Sequence, residues 1–283
     1  LLDGLVFALL LAAFLLVRDT GTLEQIFMLA VGACGLATVT AGLVAGRHLR
    51  TYPAATGAPF VLVLGTAWPL WITGITLFAL GKVDLWILGL FRELDEVGVY
   101  GAVSRLATFT SFTLLIANAV VPPLIAEMHS RQDHRAMEHT LRSVATLSLI
   151  PSLAIVIVFA AWPGGLLGLL YGDYYRTGSL ALLILAAGHL VNVACGSCGY
   201  VLMMTRHQVL MMVITLLSGG MTILVGTQLA PGYGAAGVAT GMSAGLILQN
   251  LLMLAAVRRH LGIWTHARLR IPAIGRRLEE QGS

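Results

Sequence analysis

The stretch G-K-V-D-L-W-I-L-G-L-F-R-E-L-D-E-V-G-V-Y-G-A-V-S-R, residues 81–105, sets Lys82, Asp84 and Arg105 among apolar neighbours. Asp84 precedes Asp95 by eleven residues and Arg105 follows it by ten. With a turn at Asp95, both charges lie ~15 Å below the same surface at a ~1.5 Å rise per residue. Charges at that depth are costly, so three readings fit. The first is a structural Asp84–Arg105 ion pair with Lys82 snorkelling. The second ends the preceding helix near Leu80 and leaves the charges wet at an interface. The third is a polar lining that handles a charged substrate or a coupling ion.

Uncharged polar residues extend the candidate set. Asn118, Asn192, Gln249 and Asn250 fall inside apolar runs, where each makes an interhelical hydrogen bond worth ~0.6 kcal/mol on average or lines a cavity. Asn118 and Asn192 join Arg105, Asp84 and Lys82 as candidate cavity residues. His189, one turn before Asn192, is either a neutral hydrogen-bonded imidazole or a proton-responsive group.

Other chemistries find little support. Glu127, His129, Asp133, His134, Glu138 and His139 are ligand types crowded into one connection, but without an H-E-x-x-H pattern they read as a solvated face on a wet amphipathic loop. Cys195 and Cys198 form C-G-S-C inside an apolar run, where small residues serve packing, and Cys34 stands alone. There are no paired carboxylates, no Ser/His/Asp set and no phosphate-cradling glycine loop followed by Lys. Neither metal, cofactor nor catalysis is expected.

The elements that position these residues are set by composition. Of the 283 residues 58% are hydrophobic and 11% charged, and the mean hydropathy is +0.88, well outside the range of a soluble domain. Apolar runs of about 20 residues, the length of a helical bilayer crossing, recur at about 2–17, 26–45, 60–80 (with an extension to Phe91), 97–126, 143–162, 178–203, 209–229 and 234–257. Backbone groups in lipid must be paired within the segment, so the fold class is an all-α polytopic membrane protein of about eight transmembrane helices.

Arg47, Arg50, Arg131, Arg135, Arg142, Arg206, Arg258, Arg259, Arg268, Arg270, Arg276 and Arg277 all fall on one side of this topology, against Arg18, Arg92 and Arg176 on the other. The positive-inside rule then makes both ends of the chain cytoplasmic. Arginines at the inner leaflet account for the formal charge of +4 and pI near 9.2, with membrane lipids rather than nucleic acid as their partners. The chain opens on L-L-D-G-L-V-F-A-L-L without an initiating Met or a basic n-region, which reads as a helix already under way and so as a fragment. Gly237, Gly241 and Gly245 form a packing ridge on the last run, expected to pack within its own bundle. Pro69, Pro151 and the Pro122–Pro123 pair mark kinks.

The run D-L-W-I-L-G-L-F from Asp84, E-V-G-V-Y-G-A-V-S-R-L from Glu96, the double proline closing that helix, L-L-Y-G-D-Y-Y from Leu169 and L-V-N-V-A-C-G-S-C-G-Y-V-L-M-M-T-R-H-Q from Leu190 together resemble the C-terminal half of bacterial polysaccharide flippases. These are the Wzx-type lipid-linked oligosaccharide translocases of the multidrug/oligosaccharidyl-lipid/polysaccharide exporter superfamily. The resemblance implies two six-helix lobes around an alternating-access cavity, the eight segments matching helices five to twelve. Residues 1–50 would then end the N-terminal lobe, 51–60 would link the lobes, 61–260 would form the C-terminal lobe and 261–283 a basic cytoplasmic tail. It further implies an undecaprenyl-pyrophosphate-linked glycan as substrate, a coupling ion (H⁺ or Na⁺) and the bacterial inner membrane. Arg105 would face the cavity and meet phosphate or acidic sugar, which a planar guanidinium binds bidentately. Asp84 and Lys82 would serve as counter-ion or gate. A drug/cation antiporter or a peptidoglycan-precursor flippase of the same superfamily, and an enzyme acting on lipid-linked sugars, are the alternatives.

Overall fold

The computed structural model describes residues 60–268, together with residues 32, 35, 36, 38–40, 42, 43 and 47, which are helical. The chain divides into two compact units, Leu1–Phe60 and Val61–Ser283. The apolar run at 2–17, most of 26–45, the linker at 51–59 and the tail beyond Arg268 lie outside the described residues.

Among the described residues of the second unit all regular structure is helical. Its elements are α1 (Phe60–Phe91), α2 (Leu94–Thr108), a 3₁₀ turn (Phe109–Ser111), α3 (Phe112–Ala117), α4 (Val121–Ser130), α5 (His134–Ala161), α6 (Pro163–Tyr171), a second 3₁₀ turn (Asp173–Gly178), α7 (Ser179–Cys195), α8 (Cys198–Met204) and α9 (Gln208–Leu261). Among the described residues, five helical segments are long and apolar enough to cross a membrane, as a multi-pass membrane protein requires.

Several boundaries differ from the sequence reading, each for a local reason. Helix α1 runs unbroken through Lys82 and Asp84 to Phe91, so it does not end near Leu80. The expected helix over 97–126 is interrupted twice, at the 3₁₀ turn and at 118–120. Pro122 and Pro123 lack the N–H groups that Asn118 and Ala119 carbonyls would accept, so α3 stops. The prolines then occupy the first turn of α4, where missing donors cost nothing. They open a helix rather than close one. The presumed loop around Asp133 is helical on both sides, because the Asp133 carboxylate accepts the Ala136 N–H at 2.9 Å and caps α5. The run 178–203 breaks at Gly196, whose backbone (φ 74°, ψ −155°) is open to glycine alone.

Helix α9 is two arms joined by a kink at Gly234 (φ 53°). The arms pack antiparallel through the glycine ridge. A Cβ on Gly241 would fall 2.6 Å from the Gly226 nitrogen, and one on Gly245 would overlap the Thr222 hydroxyl and lie 2.9 Å from the Ser218 carbonyl. The ridge therefore packs within the bundle, as the sequence implied. Small residues matter here because lipid is as apolar as a leucine side chain, so helix association depends on close van der Waals approach.

The kink exposes backbone groups, and the α1–α2 turn supplies their partners. Arg92 donates to the Pro231 carbonyl at 2.9 Å and the Ala230 carbonyl at 3.4 Å, while Glu96 accepts the Ala235 N–H at 2.7 Å. One cation thus caps the end of the first arm and one carboxylate the start of the second, each with the charge that a helix terminus favours.

Gly245→Leu is expected to abolish the monodisperse peak of the detergent-solubilised protein in gel filtration. Gly220→Ala, whose added Cβ meets nothing within 4 Å, should keep the peak and leave thermal stability unchanged or raised by up to about 1 kcal/mol.

Candidate functional site

The charged trio does not assemble as its spacing suggested. Asp84 is buried, 4% exposed. Its Oδ1 accepts the Leu85 N–H at 2.8 Å. Its carboxylate faces the Tyr100 hydroxyl, a contact that falls short of a well-formed hydrogen bond, since that hydroxyl has no partner of ordinary geometry. Arg105 is exposed, and no ion pair joins it to Asp84 or to any other described residue. The pairing fails on depth and on face. The turn is centred between Phe91 and Leu94, not on Asp95. Asp84 therefore lies seven residues from its helix end and Arg105 eleven from its own, placing Arg105 ~6 Å further in. Arg105 also follows Tyr100 by five residues, a rotation of ~140° away from the Asp84 side. Lys82 is exposed on a different face from Asp84, as a two-residue separation demands.

The amides, by contrast, converge. Asn118, Asn192, Gln249 and Asn250 line one cavity of about 460 Å³, together with Thr73 and Tyr200. This is within the size range of small-ligand sites. The cavity forms where broken helices meet. Asn118 closes α3 and Asn192 lies in the last turn of α7, just before the Gly196–Ser197 break. The Ser197 hydroxyl donates to Asn118 Oδ1 at 2.6 Å, tying the two breaks to each other. A third break joins the network, because Ser111 in the 3₁₀ turn contacts His189 Nδ1 at 3.1 Å and accepts from Asn192 Nδ2 at 3.4 Å.

On the α9 side, Gln249 Nε2 donates to Thr215 Oγ1 at 3.4 Å and Asn250 Nδ2 to the Leu246 carbonyl at 2.9 Å. Several of these amides serve both as interhelical ties and as cavity lining, two roles the sequence reading had treated as alternatives. None of the lining residues is charged. Lys82, Asp84 and Arg105 lie outside this cavity. The signal that could have located it was the coincidence of mid-run amides with helix breakers: Asn118 before Pro122–Pro123, and Asn192 before Gly196.

The cavity sits within the apolar bundle. Helix α7, of 17 residues, puts the break roughly 25 Å from the end that carries Asp173 and Arg176. Helix α8, of 7 residues, leaves roughly 10 Å to the turn at 205–207. That second end of the bundle carries Arg131, Arg135, Arg142, Arg206, Arg258, Arg259 and Arg268. Of the ligand-type residues there, two form ion pairs, Glu138 with Arg142 at 3.2 Å and with Arg268 at 3.6 Å, and Glu127 with Arg131 at 2.8 Å, while Asp133 caps α5.

In comparison with known proteins, no family model matches the chain, and no curated protein or solved structure matches it significantly.

A double-mutant cycle should resolve the Asp84 contacts. In thermal unfolding in detergent, Asp84→Ala and Tyr100→Phe should couple by about 0.5–1 kcal/mol, whereas Asp84→Ala and Arg105→Ala should be additive. Coupling between Asp84 and Arg105 instead would restore the ion-pair reading.

Proposed function

We propose that the chain is the substrate-handling bundle of an alternating-access exporter that moves a lipid-linked oligosaccharide from the cytoplasmic to the periplasmic leaflet of the bacterial inner membrane. The observation that carries this reading is the amide-lined cavity at the junction of interrupted helices. Non-helical backbone at membrane depth persists only where protein or a water-filled cavity satisfies it, and paired helix breaks in transporters mark substrate sites.

The chemistry of the lining supports a hydroxyl-rich, uncharged group. Asn and Gln side chains each present both donors and an acceptor, which matches sugar hydroxyls that do the same. A drug/cation antiporter would need a carboxylate in contact with its substrate, and the lining holds none. Catalysis has no support in the lining either, which offers no nucleophile–base pair. Arg105, outside the cavity, exposed and without an ion pair among the described residues, is a guanidinium free to meet a pyrophosphate, as are Arg135, Arg206 and Arg259 at the arginine-rich end. The sequence resemblance and the arginine-rich end, taken as cytoplasmic, agree with this direction of transport.

The test is surface-glycan display in a cell lacking its own flippase, complemented with the full-length gene and with membrane levels checked by blotting. Asn192→Leu and Gln249→Leu should each cut display about tenfold or more, equivalent to about 1.4 kcal/mol of lost interaction. Phe78→Ala, on the outward face of α1 and 76% exposed, should leave it unchanged. Full display from both cavity variants at normal protein level would end this reading.

A further inference from the structure

The residues that follow α9 do not leave the bundle as a tail. After Gly262 (φ 71°) the chain turns back and runs, without helix or strand, along the arginine-rich end to Arg268. Ile263 is 3% exposed and packs in the apolar cluster that includes Cys195, Cys198 and Val257. Thr265 is wholly buried and donates its hydroxyl to the Cys195 carbonyl at 2.8 Å. The Ala267 N–H donates to the Ala194 carbonyl at 2.9 Å, and the Arg268 N–H to the Thr146 hydroxyl at 2.9 Å. The segment thus bridges α5 and the end of α7.

Its position relative to the break is specific. Ala194 and Cys195 carry the carbonyls left without a helical partner where α7 stops, and both are filled by this strap. A Cβ at Gly196 would lie 2.7 Å from the Thr265 carbonyl oxygen, so strap and break fit only while residue 196 is glycine. Immediately beyond the break, α8 supplies Gly199, Tyr200 and Met203 to the wall of the amide-lined cavity. From that wall α8 leads directly into the turn at 205–207.

We infer that residues 262–268 are a latch: by holding the α7–α8 break at Gly196–Ser197, they keep α8 closed over the arginine-rich side of the cavity, and their release lets α8 swing about the break and open it. The latch regulates the cavity proposed above as the transport site and rests on that reading for its biological meaning, but its physical test does not involve transport. Gly196 is a suitable hinge because its backbone conformation is open to glycine alone and the strap holds the two residues before it, Ala194 and Cys195, by one hydrogen bond each; a swing of α8 also withdraws Val201 and Leu202 from their apolar cluster. Cys198, 1% exposed in the closed form, stands on the moving element and reports opening directly.

The experiment is maleimide labelling of the full-length protein in native membranes in a Cys34→Ser background. Thr265→Val removes one strap bond while keeping the side chain's shape, and Ala267→Pro removes the other. Each should speed labelling of Cys195 and Cys198 about tenfold, the change in open population that one lost buried hydrogen bond allows. Thr265→Ser, which keeps the hydroxyl, should label at the parental rate. Parental labelling rates in both bond-deleting variants would overturn the latch. So would loss of folded protein in both, which would make the strap a brace that cannot open. Faster labelling with unaltered glycan display would leave the latch standing and remove the transport reading of the cavity.

Discussion

Every interruption of a helix inside this bundle leaves backbone groups that lipid cannot satisfy, and the fold depends on where their partners come from. The kink at Gly234 is capped by Arg92 and Glu96 from the α1–α2 turn. The break at Gly196 is capped by the strap. The prolines after Asn118 withdraw two donors, and the Asn118 side chain is tied across to Ser197. Because an unpaired group in hydrocarbon costs several kcal/mol, each cap fixes the relation between elements far apart in the chain. Local breaks become tertiary fasteners.

Close packing of small residues supplies the second layer of order. The arms of α9 meet along Gly237, Gly241 and Gly245, and Ser243 reaches α7, where its hydroxyl donates to the Ile184 carbonyl at 2.8 Å opposite Gly188. Two apolar clusters fill the remaining space: one around Leu88, Tyr100, Val103 and Leu182, the other around Ile125, Met137, Val201 and Val257. Large apolar side chains such as Trp71, Phe78 and Leu90 face outward instead, as they do in a protein whose solvent is hydrocarbon.

Three places gather much of the polarity of the described residues, with Lys82, Asp84 and Arg105 standing apart from them. The end with Arg92 and Glu96 holds a charged clamp on a helical hairpin. The opposite end carries a cluster of arginines, among them Arg131, Arg135, Arg206 and Arg258. Between them lies an uncharged cavity in which amides and hydroxyls satisfy one another, with no fixed charge to attract ions.

The sequence by itself determined the class of the protein and much of its membrane-facing pattern. Apolar runs of crossing length dictate helices because lipid offers the backbone no alternative, arginine asymmetry is a one-dimensional signal, and the spacing of Gly237, Gly241 and Gly245 already defines one face of a helix. Asn118, Asn192, Gln249 and Asn250 were visible as anomalies for the same reason. What only the tertiary structure decided was which anomalies meet. Asp84 and Arg105 appeared paired because counting residues from an assumed turn gives depth, but a shift of the turn by about two residues, combined with helical rotation, separates them. The amides converge because the breaks that end α3 and α7 pack beside each other and against the second arm of α9, a relation between residues up to about 130 apart in the chain. The strap was invisible for the same cause: Thr265 and Ala267 look like the start of a polar tail until the orphaned carbonyls of Ala194 and Cys195 are brought beside them.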